Sequence, residues 1–124
     1  MAKTIMIVDD SPTMLMSMEA MLSKAGLGVS KANNAEEALV MLKSGGKPDM
    51  IITDLNMAAM NGIQLIREVR RLPGFAFMPI VMLTTESQQE KRHEAKSAGA
   101  TGWMVKPVQP QAMLQAVKQL VPGA

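Results

Sequence analysis

The sequence predicts an α/β protein, in which five strands and five helices alternate as a doubly wound (βα)5 domain with a parallel sheet. Short aliphatic and β-branched runs alternate with longer stretches of helical period, and this alternation is typical of βα units around a parallel sheet. The chain has 124 residues, which is enough for one hydrophobic core and too few for two. We therefore expect residues 1–124 to form a single domain.

The elements follow one another without a repeat or a low-complexity segment. The strands are the short apolar runs, at residues 4–8, 28–32, 50–53, 80–83 and 101–105. The helices are the stretches of helical period between them, at residues 12–25, 35–44, 62–72, 87–98 and 110–121. Turn residues separate these elements in chain order: an N-cap at Ser11 and Pro12, a helix end at Gly26, and loops at Gly45-Gly46 and Pro73-Gly74.

The last two helices differ in their capacity for burial. The fourth helix offers only Ala95 and Ala98 as apolar side chains, so we expect it to be weakly anchored. The fifth helix should pack firmly, because it places a whole apolar face toward the core: Met113, Leu114, Val117, Leu120 and Val121. On the first helix, Met14, Met18 and Met21 are predicted to be core residues and Met16 to be exposed.

The composition excludes several classes of function. The absence of Cys rules out disulfides, a thiol nucleophile and a thiolate metal site. With a net charge of +2, one Trp, two Phe and no Tyr, neither a basic nucleic-acid surface nor base stacking is expected. No stretch approaches the roughly 18 apolar residues of a membrane-spanning helix, and the first strand is too short for a signal peptide. We expect neither a nucleic acid nor a membrane as partner.

Polar side chains follow four of the predicted strands, at the point where each strand ends. Two acids come after the first strand, one acid after the third, two hydroxyls after the fourth and one ammonium after the fifth: Asp9, Asp10, Asp54, Thr84, Thr85 and Lys106. The carboxyl ends of parallel strands share one edge of the sheet, where open α/β sheets bind their ligands. The sequence therefore predicts a site at this edge.

The residue types at this edge favour metal-assisted phosphoryl chemistry. Three carboxylates repel one another unless a cation joins them, and the lack of His and Cys nearby favours a hard ion such as Mg²⁺. Asp54 stands alone at its strand end and is the candidate nucleophile for an aspartyl phosphate. Asp9 and Asp10 are candidate metal ligands, and Lys106 and Thr84 are candidates to stabilise the transferring phosphoryl group.

Each of these residues also has a purely structural interpretation. Asp10 or Ser11 alone could cap the first helix. Residues 85–88 match a capping box, which makes Thr85 a structural residue and leaves Thr84 as the functional one. Lys106 alone is typical of a surface lysine. Asp54 lacks an obvious structural role, because it directly follows a strand that should be buried.

Four motifs resemble the receiver domain of two-component response regulators, over essentially the whole chain. The first runs from Ile5 to Ser11 and contains Asp9-Asp10. The second runs from Ile51 to Gly62 and contains Asp54 and Met57. The third spans Leu83 to Glu86, and the fourth spans Trp103 to Pro107. We expect no output domain after the last predicted helix, so the resemblance is to the single-domain, CheY-like chemotaxis type. The resemblance implies a flavodoxin-like sheet with strand order 2-1-3-4-5, the order that general fold rules describe for CheY itself.

The resemblance implies a role for each residue at the site. Asp54 is the phosphoacceptor, and Lys106 and Thr84 act on the phosphoryl group. Mg²⁺ is held by the carboxylates of Asp9, Asp10 and Asp54 and by the backbone carbonyl of Asn56.

The resemblance also implies a switch. Thr84 moves toward the phosphoryl group and draws Trp103 inward, so that the surface of the fourth helix, fifth strand and fifth helix changes its partners. The bond between Lys106 and Pro107 is expected to be cis.

Three positions depart from the family pattern: Ala58 stands in place of Pro, Thr85 in place of a small residue, and Trp103 in place of Tyr or Phe.

The implied function is that of a cytoplasmic, monomeric signalling protein that promotes its own phosphorylation and dephosphorylation without being a turnover enzyme. Its implied partners are a CheA-like histidine kinase, a flagellar switch protein and a phosphatase. A phosphate-relay or phosphate-sink receiver is the alternative. An aspartate-nucleophile phosphatase is a remote alternative, since its motif needs Asp where Asn56 stands, and a flavin carrier is disfavoured because Asp9 and Asp10 repel a phosphate.

Overall fold

A computed structural model of the chain describes residues 3–85 and 89–124. Its elements alternate in the order β1 (Thr4–Val8), α1 (Pro12–Lys24), β2 (Gly28–Ala32), α2 (Ala35–Lys43), β3 (Met50–Asp54), α3 (Gly62–Arg71), β4 (Ile80–Thr84), α4 (Gln89–Ala98), β5 (Gly102–Val105) and α5 (Pro110–Leu120). The strands form one parallel sheet in the order β2-β1-β3-β4-β5. The expected fold class and strand order are confirmed.

The element bounds differ from the predicted ones by single residues, and the differences have local causes. β3 and β4 are each one residue longer than expected, because Asp54 still pairs with Leu83 and Thr84 still pairs with Val105. β5 begins one residue later, at Gly102. Helices α1, α2, α3 and α5 end one residue early, since the last predicted residue of each is its C-cap.

The predicted start of the fourth helix, and most of the capping box predicted at 85–88, lie outside the described residues.

Two apolar layers cover the two faces of the sheet. One face packs against α2, α3 and α4 through alternate strand residues that include Met6, Val8, Ile51, Ile80 and Met82. The other face packs against α1 and α5 through Ile5, Ile7, Met50, Ile52, Val81 and Leu83. β3 is therefore the central strand and is buried along its whole length, as a strand covered on both faces should be.

The predictions for individual helix faces are confirmed. On α5, Met113, Val117 and Val121 are buried, and Leu114 and Leu120 pack against the same core. On α1, Met18 is buried while Met14 and Met21 are partly buried, and Met16 is exposed. None of the described helices is long and apolar enough to cross a membrane.

The attachment of α4 is concentrated at its C-terminal half. Its buried apolar side chains, among those described, are Ala95 and Ala98. Beyond them, the Arg70 guanidinium donates to the carbonyl oxygen of Gly99 from Nε at 3.0 Å and from Nη2 at 2.7 Å, and from Nη1 to the Phe75 carbonyl at 2.8 Å. These bonds tie the end of α4 to α3 and to the loop before β4.

Candidate functional site

The carboxyl ends of four strands bring the predicted polar residues to one edge of the sheet. Asp9 directly follows β1, and its N–H donates to the Ala32 carbonyl at 3.2 Å. Asp54 is the last residue of β3, and Thr84 is the last residue of β4. Lys106 directly follows β5, where its N–H donates to the Thr84 carbonyl at 2.7 Å. The hydrogen bonds between strands thus continue up to the candidate site residues and fix the positions of their backbones.

Three carboxylates converge at this edge. One oxygen from each of Asp9, Asp10 and Asp54 lies within 4.8 Å of the others. Asp9 and Asp54 are almost fully buried, with 1% and 3% of their surface exposed, whereas Asp10 is exposed. Such a cluster concentrates negative charge at a place where water screens it poorly.

Asp9 shows the electrostatic cost of this arrangement. Burial raises the pKa of its carboxyl above the ordinary value, the backbone hydrogen bond from Ser11 at 2.9 Å opposes the rise, and the charge of Asp54 adds to it. The second oxygen, Oδ2, is buried and accepts no hydrogen bond from any described residue. A buried carboxylate oxygen without a hydrogen bond is costly, so Asp9 Oδ2 is suited to a cation or a further donor as its partner.

Lys106 supplies part of the compensating charge. Its Nζ lies 2.7 Å from Asp54 Oδ1 and 4.0 Å from Asp9 Oδ2, and its side chain is 25% exposed. The structure therefore excludes the interpretation of Lys106 as an ordinary surface lysine. One ammonium against three carboxylates still leaves the cluster negative.

The donor set fits a hard divalent cation. Every side-chain ligand offered is a carboxylate oxygen, and Mg²⁺ prefers such ligands together with water. Asp10 does not cap α1. Ser11 is the N-cap of this helix, and its Oγ accepts a hydrogen bond from Met14 N at 3.3 Å. Asn56 lies exposed two residues beyond Asp54, and the part of its carbonyl in metal binding stays a prediction.

Thr84 and Trp103 lie on one face of the sheet. Trp103 pairs with Met82 in the register between β5 and β4, and Thr84 is two residues beyond Met82 on its strand. Thr84 is fully buried, and its Oγ1 has no hydrogen-bond partner among the described residues. The Trp103 side chain is turned outward and is 38% exposed.

The structure adds two residues that the sequence did not single out for the site. A β-carbon at Gly62 would collide with the backbone carbonyl oxygen of Asp54, so only glycine allows α3 to begin this close to β3. A glycine at the first position of a predicted helix was the available signal. The second residue is Arg92 on α4, whose guanidinium lies over the Trp103 ring with 5.8 Å between its central carbon and the ring centroid.

The backbone around the site shows one expected and one unexpected feature. The Lys106–Pro107 peptide bond is cis, as expected. In the loop between β3 and α3, Ala59 has a φ of 62°, and it is the one non-glycine residue in the described ranges with a positive φ. This loop contains the departure from the family pattern at Ala58.

Comparison with known proteins identifies the class to which this fold and site belong. The family model of the response regulator receiver domain matches residues 5–118. The chain therefore belongs to the response regulator receiver domain family, whose members act in two-component signalling and are signalling proteins rather than typical turnover enzymes. Binding of Mg²⁺ and formation of an aspartyl phosphate are standard for this family.

Individual relatives match over nearly their whole length. The chain is 32% identical to Protein PilH of Pseudomonas aeruginosa over 119 residues, which is 96% of this chain and 98% of that protein. It is 36% identical to Chemotaxis protein CheY of Thermotoga maritima over 121 residues, which is 97% of this chain and 98% of that protein. The solved structure of CheY4 from Vibrio cholerae superposes with a TM-score of 0.92 at 36% identity, covering 98% of this chain and 100% of that one.

Proposed function

We propose that this protein is a phosphorylation-dependent switch that accepts a phosphoryl group from a histidine kinase on Asp54. The observation that carries the proposal is the position of Asp54 at the end of the central strand, buried between two other carboxylates and the Lys106 ammonium. An ion pair with Lys106 needs only one carboxylate, so it does not explain why Asp9 and Asp10 lie beside Asp54. A receiver site explains all three acids.

The transfer uses the residues at the sheet edge. A carboxylate oxygen of Asp54 forms a bond to phosphorus as the bond between phosphorus and the kinase imidazole breaks, and the imidazole leaves with that electron pair. Lys106 then exchanges its contact with Asp54 for one with a phosphoryl oxygen. The Thr84 hydroxyl, which lacks a partner among the described residues, donates to another phosphoryl oxygen.

Asp9, Asp10 and Asp54, with the Asn56 carbonyl, are the residues that would hold Mg²⁺. When bound, the ion supplies positive charge that offsets the repulsion between the incoming phosphoryl group and the three carboxylates. Asp9 Oδ2 offers an oxygen that is already stripped of hydrogen bonds among the described residues and aimed at the cluster. The net negative charge of the three carboxylates is therefore suited to holding this cation.

The output is a change of binding surface in which Thr84 draws Trp103 inward and the surface of α4, β5 and α5 takes a new partner. The partners we propose are a CheA-like histidine kinase, a flagellar switch protein and a phosphatase, with the protein acting as a cytoplasmic monomer in chemotaxis. Support comes from the relatives named chemotaxis protein CheY, one of which, from Pseudomonas aeruginosa, is 35% identical over 94% of this chain.

The decisive experiment is intact mass after incubation with Mg²⁺ and a small acyl phosphate. We expect the wild-type protein to gain one phosphoryl group, Asp54→Asn to gain none, and Asp49→Asn to behave as wild type because Asp49 is exposed and precedes β3 at the opposite edge of the sheet. No gain by the wild type would refute the proposal. Capture of a flagellar switch protein by the phosphorylated form supports the motor role, whereas capture of a histidine phosphotransfer domain alone supports the relay alternative.

A further inference from the structure

The contact between Arg92 and Trp103 joins α4 to β5 on the outside of the molecule. The guanidinium carbon lies 5.8 Å from the ring centroid, which is within the range of a cation–π interaction. Arg92 Nε is buried and has no hydrogen-bond partner among the described residues. A buried arginine nitrogen without a hydrogen bond needs another source of stabilisation, and the face of the Trp103 ring supplies it.

This contact lies in the first turns of α4, ahead of the attachments that the described residues make at its C-terminal half. The buried apolar side chains described on α4 are Ala95 and Ala98, and the Arg70 bonds hold the carbonyl of Gly99, just past the C-terminal end. Arg92 is the fourth residue of the helix and precedes both of these attachments. The orientation of Trp103 and the position of the first half of α4 are therefore coupled through one stacked pair.

The direction of the coupling follows from the sheet register. Trp103 and Thr84 share one face of the sheet, so the path of the ring toward the interior leads along that face toward Thr84. Arg92 stacks on the ring while the ring is 38% exposed. Inward rotation of Trp103 must break this stack.

We propose that Arg92 is a positioning residue that holds Trp103 in the outward orientation and thereby opposes the switch until the site is phosphorylated. The inference rests on the proposed function, since it assigns a regulator to the same site. A cation–π interaction at a partly exposed position shifts a two-state equilibrium by about two- to fivefold. That range is large enough to set the resting population and small enough for phosphorylation to overcome.

The test compares Arg92→Gln with Lys91→Gln, which removes one positive charge from the same helix without touching the ring. The first measurement is acrylamide quenching of Trp103, the single Trp, in the unphosphorylated protein. We expect Arg92→Gln to lower the quenching constant, because the ring released from the guanidinium spends more time in the inward orientation, and Lys91→Gln to leave it unchanged. Arg92→Lys should fall between wild type and Arg92→Gln, since it keeps the charge and loses the planar stack.

The second measurement is the affinity for beryllofluoride, an analogue of the phosphoryl group, in the presence of Mg²⁺ by calorimetry. We expect Arg92→Gln to bind the analogue about two- to fivefold more tightly than wild type, because less stabilisation of the outward state has to be overcome. In a Trp103→Leu background the same substitution should have no effect.

The outcomes separate the two proposals. If the wild type binds no beryllofluoride, both the proposed function and the role of Arg92 are wrong. If the wild type binds it and Arg92→Gln binds with equal affinity, only the role of Arg92 is wrong. The same conclusion follows if Lys91→Gln tightens binding as much as Arg92→Gln, or if the effect persists without the Trp103 ring.

Discussion

Lys106 and Asp54 form an ion pair of 2.7 Å that reaches across an intervening strand, because β4 lies between β3 and β5 in the sheet. The lysine stem therefore passes over the end of β4 and delivers its charge to the central strand. This geometry places the ammonium where it balances the buried acid. Under the proposed function, the same ammonium would contact a phosphoryl group on Asp54, so Lys106 would serve both the stability of the resting protein and its chemistry.

Lys106→Gln should destabilise the metal-free protein. The substitution leaves Asp54 and Asp9 without their counter-charge, and we expect a loss of roughly 1–3 kcal/mol, below the range for fully buried pairs because the lysine is partly exposed. Urea unfolding in the presence of EDTA measures the loss. Adding Mg²⁺ should stabilise this variant more than the wild type, because the metal replaces the missing charge. Lys118→Gln on the exposed face of α5 is the control, and an equal loss there would contradict the role of the ion pair.

The stability of the metal-free protein should depend on pH through Asp9. Burial raises the pKa of this carboxyl, so the folded state holds the proton more tightly than the unfolded state does. The free energy of unfolding from this group is highest below the ordinary pKa of an Asp and falls as pH rises through the raised value. Asp9→Asn keeps a hydrogen-bond acceptor for Ser11 and should remove this part of the pH dependence.

Thermal unfolding between pH 4 and pH 7 in EDTA checks the prediction for Asp9. The advantage of Asp9→Asn over wild type should grow with increasing pH. Parallel curves for the two proteins would show that the buried charge of Asp9 carries no cost.

Gly62→Ala should both destabilise the protein and disturb Asp54, the proposed phosphoacceptor. The added β-carbon would meet the Asp54 carbonyl oxygen, and relieving the collision should cost about 1–3 kcal/mol. Gly102→Ala is the matched control, because a β-carbon there meets no atom within 4 Å. The prediction is tested by the denaturant unfolding of the two variants and by the rates at which they are phosphorylated. A stable, fully active Gly62→Ala protein would show that α3 can shift away from β3 without consequence.

Ala59→Gly should stabilise the protein, against the usual effect of glycine. The left-handed conformation at φ 62° costs an alanine about 1–2 kcal/mol, and removing that strain exceeds the roughly 0.4–1 kcal/mol of added unfolded-state entropy. At the neighbouring Ala58 only the entropic term applies, so Ala58→Gly should destabilise. Chemical denaturation of the two variants therefore tests a difference of sign between adjacent positions. The same sign at both positions would contradict the strain at Ala59.

How far the sequence predicts this structure depends on whether a contact follows from local pattern or joins residues that are distant in the chain. Asp54 and Lys106 could be placed at one edge because each follows an apolar run that is typical of a strand, and the carboxyl ends of parallel strands share one edge of the sheet. The bond of Arg70 to Gly99 joins residues 29 positions apart, and the stack of Arg92 on Trp103 depends on the rotation of α4 about its own axis. Neither hydrophobic period nor turn chemistry specifies such a rotation, least of all in a helix with two buried alanines.

Amide exchange should reveal the uneven attachment of α4. We expect α4 to exchange faster than α5, whose apolar face is buried along its length, and to exchange fastest toward its N-terminal end. Hydrogen exchange followed by mass spectrometry of peptides from both helices measures this gradient. Uniform protection of α4 at the level of α5 would contradict the idea that α4 is the element that moves.

The clamp of Arg70 on the Gly99 carbonyl makes α4 a lever with a fixed pivot. A helix held at one end can tilt without sliding, and ten residues span about 15 Å. A tilt of about 5° around Gly99 therefore moves the opposite end of the helix by roughly 1.3 Å, while the residues near the pivot stay almost still. A small rearrangement beside β4 would therefore produce its largest displacement at the N-terminal end of α4. A partner that binds only this end would detect a movement that hardly displaces Gly99.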